Sequence, residues 1–172
     1  MDPLIIVLRL LHVVGGALWV GMVTFATYFL QPALQETGPE GGKVMAALQR
    51  RGIMTVMPIL AAVTLISGLW LYLRAAAGGH AEFARSGTGM AFGLGGLAAI
   101  VAWLVGMFVM RPAMMKGVAL MQSLGPSASA EERQRAGAEA QRLRGRAAVA
   151  GKATMHLLLF AVAAMAVARY IG

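Results

Sequence analysis

The sequence predicts an all-α membrane protein, a single transmembrane bundle of four helices. Of its 172 residues, 59% are hydrophobic and only 13% are charged, whereas a soluble domain carries roughly 25% charged residues. The apolar residues gather into four runs separated by polar segments. Each run is long enough to cross a hydrocarbon core of about 30 Å as a helix.

The four runs give the boundaries of the predicted spans. The spans cover residues 4–30, 52–73, 90–110 and 147–168. The first contains one charged residue, Arg9, and the fourth contains one, Lys152. We interpret the first run as a span rather than a cleaved signal peptide, because it lacks a basic leader and is too long.

The basic residues predict the orientation of the bundle. Of the fifteen, four lie on one side: Arg9, Arg74, Arg85 and Arg169. The other eleven lie in the first and third connections or, for Lys152, just inside the fourth span. By the positive-inside rule these connections are cytoplasmic and both termini are periplasmic, in a bacterial inner membrane. The net charge of +8 does not indicate nucleic acid, because no aromatic residues interleave with the basic ones as a stacking platform requires.

Local signals predict helices and turns outside the spans. The run Ser129-Ala130-Glu131-Glu132 has capping-box spacing, so the fourth helix is expected to begin well before the membrane. Glycine-rich segments predict turns at residues 38–42 and 125–127, and at residues 78–80 and 86–89 around the outer connection. The glycines of the third span, among them Gly93, Gly95 and Gly96, suit close contact with a second copy or a partner helix.

The chain also contains a loose internal repeat of two helical hairpins. Trp19 and Pro32 of the first helix correspond to Trp103 and Pro112 of the third, and an alanine follows each proline. Two parallel hairpins of this kind favour a compact bundle.

His12 is the first candidate for chemistry, because an ionisable residue inside a span marks function by default. Gly15, Gly16 and Trp19 share its helical face. The paired glycines leave room for a flat group such as haem, with His12 as iron or metal ligand and Arg9 as a propionate partner. Equally, they suit close helix packing, with His12 hydrogen-bonded.

His156 is the second candidate, one turn beyond Lys152 on the same face. Lys152 either extends to the headgroups with His156 following it toward water, or the two serve as propionate partner and second axial ligand. A clamp of one haem by both histidines must span an axial offset of about 13 Å. Met165 lies at the depth of His12, and thioether with imidazole suits haem or cuprous ion.

The sequence lacks the residues that several other kinds of site require. The chain has no cysteine, which excludes disulfides and thiolate metal sites. The spans hold no carboxylate, and the sequence contains no glycine-rich nucleotide loop. Hydrolase and carboxylate-metal schemes are therefore not expected.

The first hairpin resembles two related membrane families over roughly residues 8–73. The residues that carry the resemblance are Leu11-His12, Leu18-Trp19-Val20-Gly21, Pro32-Ala33-Leu34, Gln49-Arg50-Arg51, Pro58, Thr64 and Gly68. They resemble the membrane domain of the copper-resistance D family and the HemJ-type protoporphyrinogen oxidases. The second family implies His12 as a haem b ligand, and the first implies a copper path through His12 and nearby methionines. The HemJ-type family also has a histidine and a lysine in its third helix, which this chain lacks.

The leading hypothesis is a haem b-binding membrane protein with a redox or electron-transfer role. If it is an enzyme, we expect a membrane oxidoreductase. One alternative is copper binding or transport through histidine and methionine sites. Another is a structural subunit, without cofactor, of a larger membrane complex. The bilayer is the expected partner, together with a second copy or a larger complex.

Overall fold

The computed structural model describes residues 2–77, 81–125 and 127–171. These ranges contain six helices. They are α1 (Pro3–Glu36), α2 (Pro39–Arg50), α3 (Ile53–Ala77), α4 (Ala81–Arg85), α5 (Gly87–Gln122) and α6 (Ala130–Tyr170). A π-helical turn interrupts α1 at Ala26–Leu30 and α5 at Gly106–Met110, and α6 closes with a 3-10 turn at Ala168–Tyr170.

Helices α1, α3, α5 and α6 are long and apolar enough to span a membrane. Large apolar side chains cover the outside of the bundle, and Ile66, Phe29 and Val149 are each at least 65% exposed. In water this surface would be a severe liability, but in a bilayer it faces lipid tails. The predicted fold class, an all-α membrane bundle, is confirmed.

The helices extend beyond the predicted spans at the end of the bundle that carries the first and third connections. With 36 and 41 residues, α5 and α6 are much longer than the roughly 20 residues that a bilayer requires. Both connections are largely helical, as predicted. The span expected from residue 52 begins at Ile53 instead, because Gly52 has a φ of 81° and separates α2 from α3.

The predicted capping box at the start of α6 is present. The Ser129 hydroxyl accepts a hydrogen bond from the Glu132 amide at 3.1 Å, and the Glu132 carboxylate accepts one from the Ser129 amide at 2.7 Å. The bond that the Ser129 amide donates stabilises the charged carboxylate and lowers the pKa of Glu132. The cap therefore contributes fully to stability at pH values above the usual pKa of a glutamate. This contribution is lost as the pH falls through the lowered pKa of Glu132.

The predicted turns differ in extent from the observed ones. Helix α2 already begins at Pro39, so residues 40–42 are helical, and the turn is reduced to Thr37 and Gly38. Proline at the first helical position explains this start, because its fixed φ suits a helix and its missing N–H is not needed there. Ser86 caps α5, so residues 87–89 belong to that helix. Residues 78–80 and Pro126 lie outside the described part of the chain.

The four long helices pack as two antiparallel hairpins, α1 with α3 and α5 with α6, joined by contacts of α3 with α5 and of α1 with α6. Small residues bring α5 and α6 together. A Cβ added to Gly95 would lie 3.0 Å from the Ala161 carbonyl oxygen. One added to Gly93 would lie 3.3 Å from the Tyr72 hydroxyl. The expectation that these two glycines face another molecule is wrong, because helices of the same chain already cover them.

The internal repeat has a structural counterpart in the two π turns. Each ends directly before a residue that precedes proline, Gln31 before Pro32 and Arg111 before Pro112. Proline cannot donate to the carbonyl one turn earlier and clashes with it. Widening the helix to a π turn relieves that clash, and such turns are frequent at functional sites. Equivalent distortions therefore occur in the first helix of each hairpin.

Gly95 and Gly96 offer a matched test of the α5–α6 contact. We expect Gly95→Val to lower the free energy of unfolding by about 1–3 kcal/mol, because the new side chain overpacks the interface. No described atom lies within 4 Å of a Cβ added to Gly96, so Gly96→Val should stay within about 0.5 kcal/mol. Thermal unfolding in detergent measures both, and equal losses would contradict this packing.

Candidate functional sites

The His12 ring is fixed by a hydrogen bond between helices. Its Nδ1 lies 2.8 Å from the carbonyl oxygen of Thr64 on α3. A carbonyl oxygen only accepts, so Nδ1 carries the proton and donates. The other ring nitrogen, Nε2, then holds a lone pair. The imidazole is half-buried, and its free nitrogen is available as an acceptor or as a metal ligand.

Glycines shape the surroundings of the His12 ring. A Cβ on Gly68 would lie 2.5 Å from the ring carbon Cε1 and 2.7 Å from Nδ1, so this position must be glycine for the ring to pack against α3. On α1, a Cβ on Gly15 would meet the Thr64 hydroxyl at 2.8 Å, and one on Gly16 the Thr64 methyl at 3.4 Å. The glycines beside His12 therefore accommodate Thr64.

The other residues predicted around His12 lie apart from its ring. Arg9 is exposed, one turn earlier on α1. Trp19 is only 4% exposed and belongs to the central core. At the same end of the bundle as Arg9, the Asp2 carboxylate and the Arg74 guanidinium form an ion pair of 2.8 Å, which joins the start of α1 to the last turn of α3.

His156 and Lys152 are both exposed on α6. The Nδ1 of His156 lies 2.8 Å from the carbonyl oxygen of Lys152 and donates to it within the same helix. Met165 packs against α5, with its Cγ and Cε 3.1 and 3.3 Å from a Cβ added to Gly95. His12 thus faces α3, His156 is exposed and Met165 faces α5. The described contacts do not bring these three candidate ligands together.

A cavity of about 960 Å³, counting its mouth, lies between the helices in the half of the bundle near the first and third connections. Both π turns and Pro58 of α3 contribute to its wall, as do Trp19 and Trp103. Six methionines line it: Met45, Met54, Met57, Met107, Met110 and Met114. The two histidines discussed above are not among its described lining residues.

Two polar groups of the cavity wall, on Arg111 and Trp103, lack hydrogen-bond partners within the described chain. Arg111 is the only charged residue of the described lining, and its Nε is buried without a hydrogen-bond partner there. The indole N–H of Trp103 is also buried and unpaired in the described structure. The guanidinium Nη1 of Arg111 lies 3.9 Å from the Met107 sulfur, a weak acceptor. Unpaired buried donors are costly, and each one therefore calls for an explanation.

Sequence reasoning missed this cavity. It treated Arg111 as one of many basic residues beside a span. The available signal was the repeat itself, because Gln31 and Arg111 both precede its prolines and both line the cavity. Among the described residues, no cluster of three or more metal-binding side chains of the histidine and carboxylate types occurs.

Comparison with known protein families, with curated proteins and with solved structures finds no match for this chain.

Gly68 tests the packing of the His12 ring. We expect Gly68→Ala to lower the free energy of unfolding by about 1–3 kcal/mol, because its methyl group would overlap the imidazole. Gly21 of α1 has no described atom within 4 Å of an added Cβ, so Gly21→Ala should be neutral or slightly stabilising. Thermal unfolding of both variants is the measurement, and a neutral Gly68→Ala would rule out the described ring position.

Proposed function

We propose that the chain is a haem b-binding membrane protein with a redox role, and that His12 is an axial ligand through Nε2. The observation that supports this is the hydrogen bond from Nδ1 to the Thr64 carbonyl. Metal-binding imidazoles are oriented in this way, with one nitrogen donating to a carbonyl and the other left for the metal. Haem, when bound, supplies the one-electron chemistry.

The proposal places the haem at the perimeter of the α1–α3 hairpin. Thr64 fills the space beside Gly15 and Gly16, so the cofactor has to approach His12 from its exposed side. Arg9 is exposed one turn earlier and is proposed to hold a propionate through charge-assisted hydrogen bonds. A homodimer or a larger membrane complex is proposed to cover the far face of the haem.

Copper is the alternative proposal, and the six methionines of the cavity favour it. Thioethers are soft ligands that suit cuprous ion. However, the Arg111 guanidinium lies 3.9 Å from the Met107 sulfur, and its charge opposes a bound cation. We therefore rank haem first. A structural subunit without cofactor is the third proposal, in which the bond from His12 to Thr64 serves packing alone.

The proposed topology places both termini in the periplasm of a bacterial inner membrane, with α2 and the α5–α6 connection in the cytoplasm. The basic residues beside these connections support it. Because the chain has no native cysteine, single cysteines can report accessibility. In spheroplasts, a membrane-impermeant maleimide should label Glu82→Cys directly but Ser127→Cys only after lysis. The reverse pattern would overturn the orientation.

A reduced-minus-oxidised absorption spectrum tests the haem proposal. Protein expressed with ample haem and purified in detergent should show Soret and α bands, and His12→Ala should remove them by deleting the ligand. His156→Ala is the matched control. The His156 imidazole is also bonded to a backbone carbonyl, but it is exposed. The spectrum of this variant should therefore keep the Soret and α bands.

Metal analysis of the same samples separates the alternatives. Stoichiometric copper without haem would replace the leading proposal with the copper one. If wild-type protein carries neither, and His12→Ala changes only assembly or stability, the structural proposal stands and the redox role is lost.

A further inference from the structure

We infer that the cavity between the two π turns binds a single-chain amphiphilic acid of the fatty-acid kind, with its carboxylate at Arg111. This site is separate from His12 and does not depend on haem binding. The inference follows from the shape of the cavity, from the charge of its lining and from the polar groups that the described chain leaves unpaired.

The cavity suits an apolar body. Its volume of about 960 Å³ includes the open solvent at its mouth, and the enclosed part between the helices is much smaller. Its wall is mostly methionine, tryptophan and aliphatic side chains. Methionine adapts its shape to flexible apolar ligands. A long hydrocarbon chain would therefore fill the space with little loss of solvation.

The polar groups of the wall specify the headgroup. Arg111 is the only charged residue of the described lining, and no carboxylate of that lining neutralises it. Gln31 lines the cavity at the equivalent position of the repeat and adds an amide to the polar groups of the wall. A guanidinium and an amide offer donors to one anionic group with two acceptor oxygens, which is what a carboxylate presents.

The position of Arg111 along α5 fits an acid that enters from the membrane edge. Arg111 directly follows the predicted span of residues 90–110, so its guanidinium lies near the headgroup layer. Trp103 lies eight residues earlier, about 12 Å deeper at the helical rise. The acid group would remain at the level of the lipid headgroups while the chain extends inward between Trp103 and Trp19.

The two π turns form the site together. Gly151 of α6 lies between them: a Cβ added there would be 3.7 Å from the Thr27 hydroxyl, 3.6 Å from the Met110 sulfur and 4.0 Å from the Gln31 amide nitrogen. The turns widen α1 and α5 at the level where α6 has no side chain. Residues of both turns line the cavity, so its shape depends on the prolines that follow these turns in α1 and α5.

Tryptophan fluorescence gives a direct assay of this site. The chain has three tryptophans. Trp70 is 55% exposed on the outside of the bundle, whereas Trp19 and Trp103 line the cavity. In a Trp70→Phe background, stearate brominated in the middle of its chain should quench the remaining fluorescence in a saturable manner. Unbrominated stearate should compete for the same site.

Arg111→Gln should raise the dissociation constant of brominated stearate about tenfold or more, because it deletes a charge-assisted hydrogen bond to the carboxylate. Arg51→Gln is the matched control. It removes one positive charge from an exposed side chain at the same end of the bundle, and should change affinity less than about twofold. Arg111→Lys keeps the charge without the planar fork, and should give an intermediate affinity.

Three outcomes would overturn the inference. Quenching that rises with concentration without saturating would mean partition into the micelle. Equal weakening by the Arg111 and Arg51 variants would mean unspecific attraction to a basic surface. Saturable, Arg111-dependent quenching by a brominated phosphatidylglycerol that stearate fails to displace would assign the cavity to an intact lipid. If Arg111→Gln does not fold, Arg111→Lys carries the same test, with an affinity between that of the wild type and background expected.

Discussion

The fold depends on one constraint, that polar groups within lipid must find partners in the chain itself. The backbone meets it by forming helices, and the side chains meet it by bonding to helix carbonyls. The Thr64 carbonyl accepts from His12 across the α1–α3 contact and from the Ser67 hydroxyl at 3.1 Å. Thr154 similarly donates to the Ala102 carbonyl at 3.5 Å between α6 and α5. These bonds and the small residues beside them fix which helices touch.

Buried polar atoms that lack a partner are the exceptions to this constraint. Three polar side-chain atoms of the described chain are buried without a partner, and those of Trp103 and Arg111 belong to residues of the cavity wall. The proposed acid would pair the buried donor of Arg111, whereas Thr64 and Thr154 are paired within the chain. The two π turns produce the space in which that ligand fits, because each relieves the clash of a proline with the preceding turn.

The sequence predicted the fold well, because long apolar runs and a capping box each depend on local chemistry. It predicted the sites less well. Periodicity placed His12, Gly15 and Gly16 on one face, but did not indicate that Thr64 would fill the space beside them. It treated Gly93 and Gly95 as exposed, because one helix alone does not show which neighbour covers it. The cavity required the π turns, whose effect depends on how three helices meet.

The central claim is that the buried guanidinium of Arg111, whose Nε has no partner in the described chain, is completed by a ligand. A structure of the protein in a lipid nanodisc at a resolution that shows side chains tests this most directly. The account predicts elongated density in the cavity with its head within hydrogen-bond distance of the Arg111 guanidinium, and the His12 ring bonded to α3. A closed or empty cavity, with the Arg111 guanidinium bonded to acceptors of the chain, would contradict it.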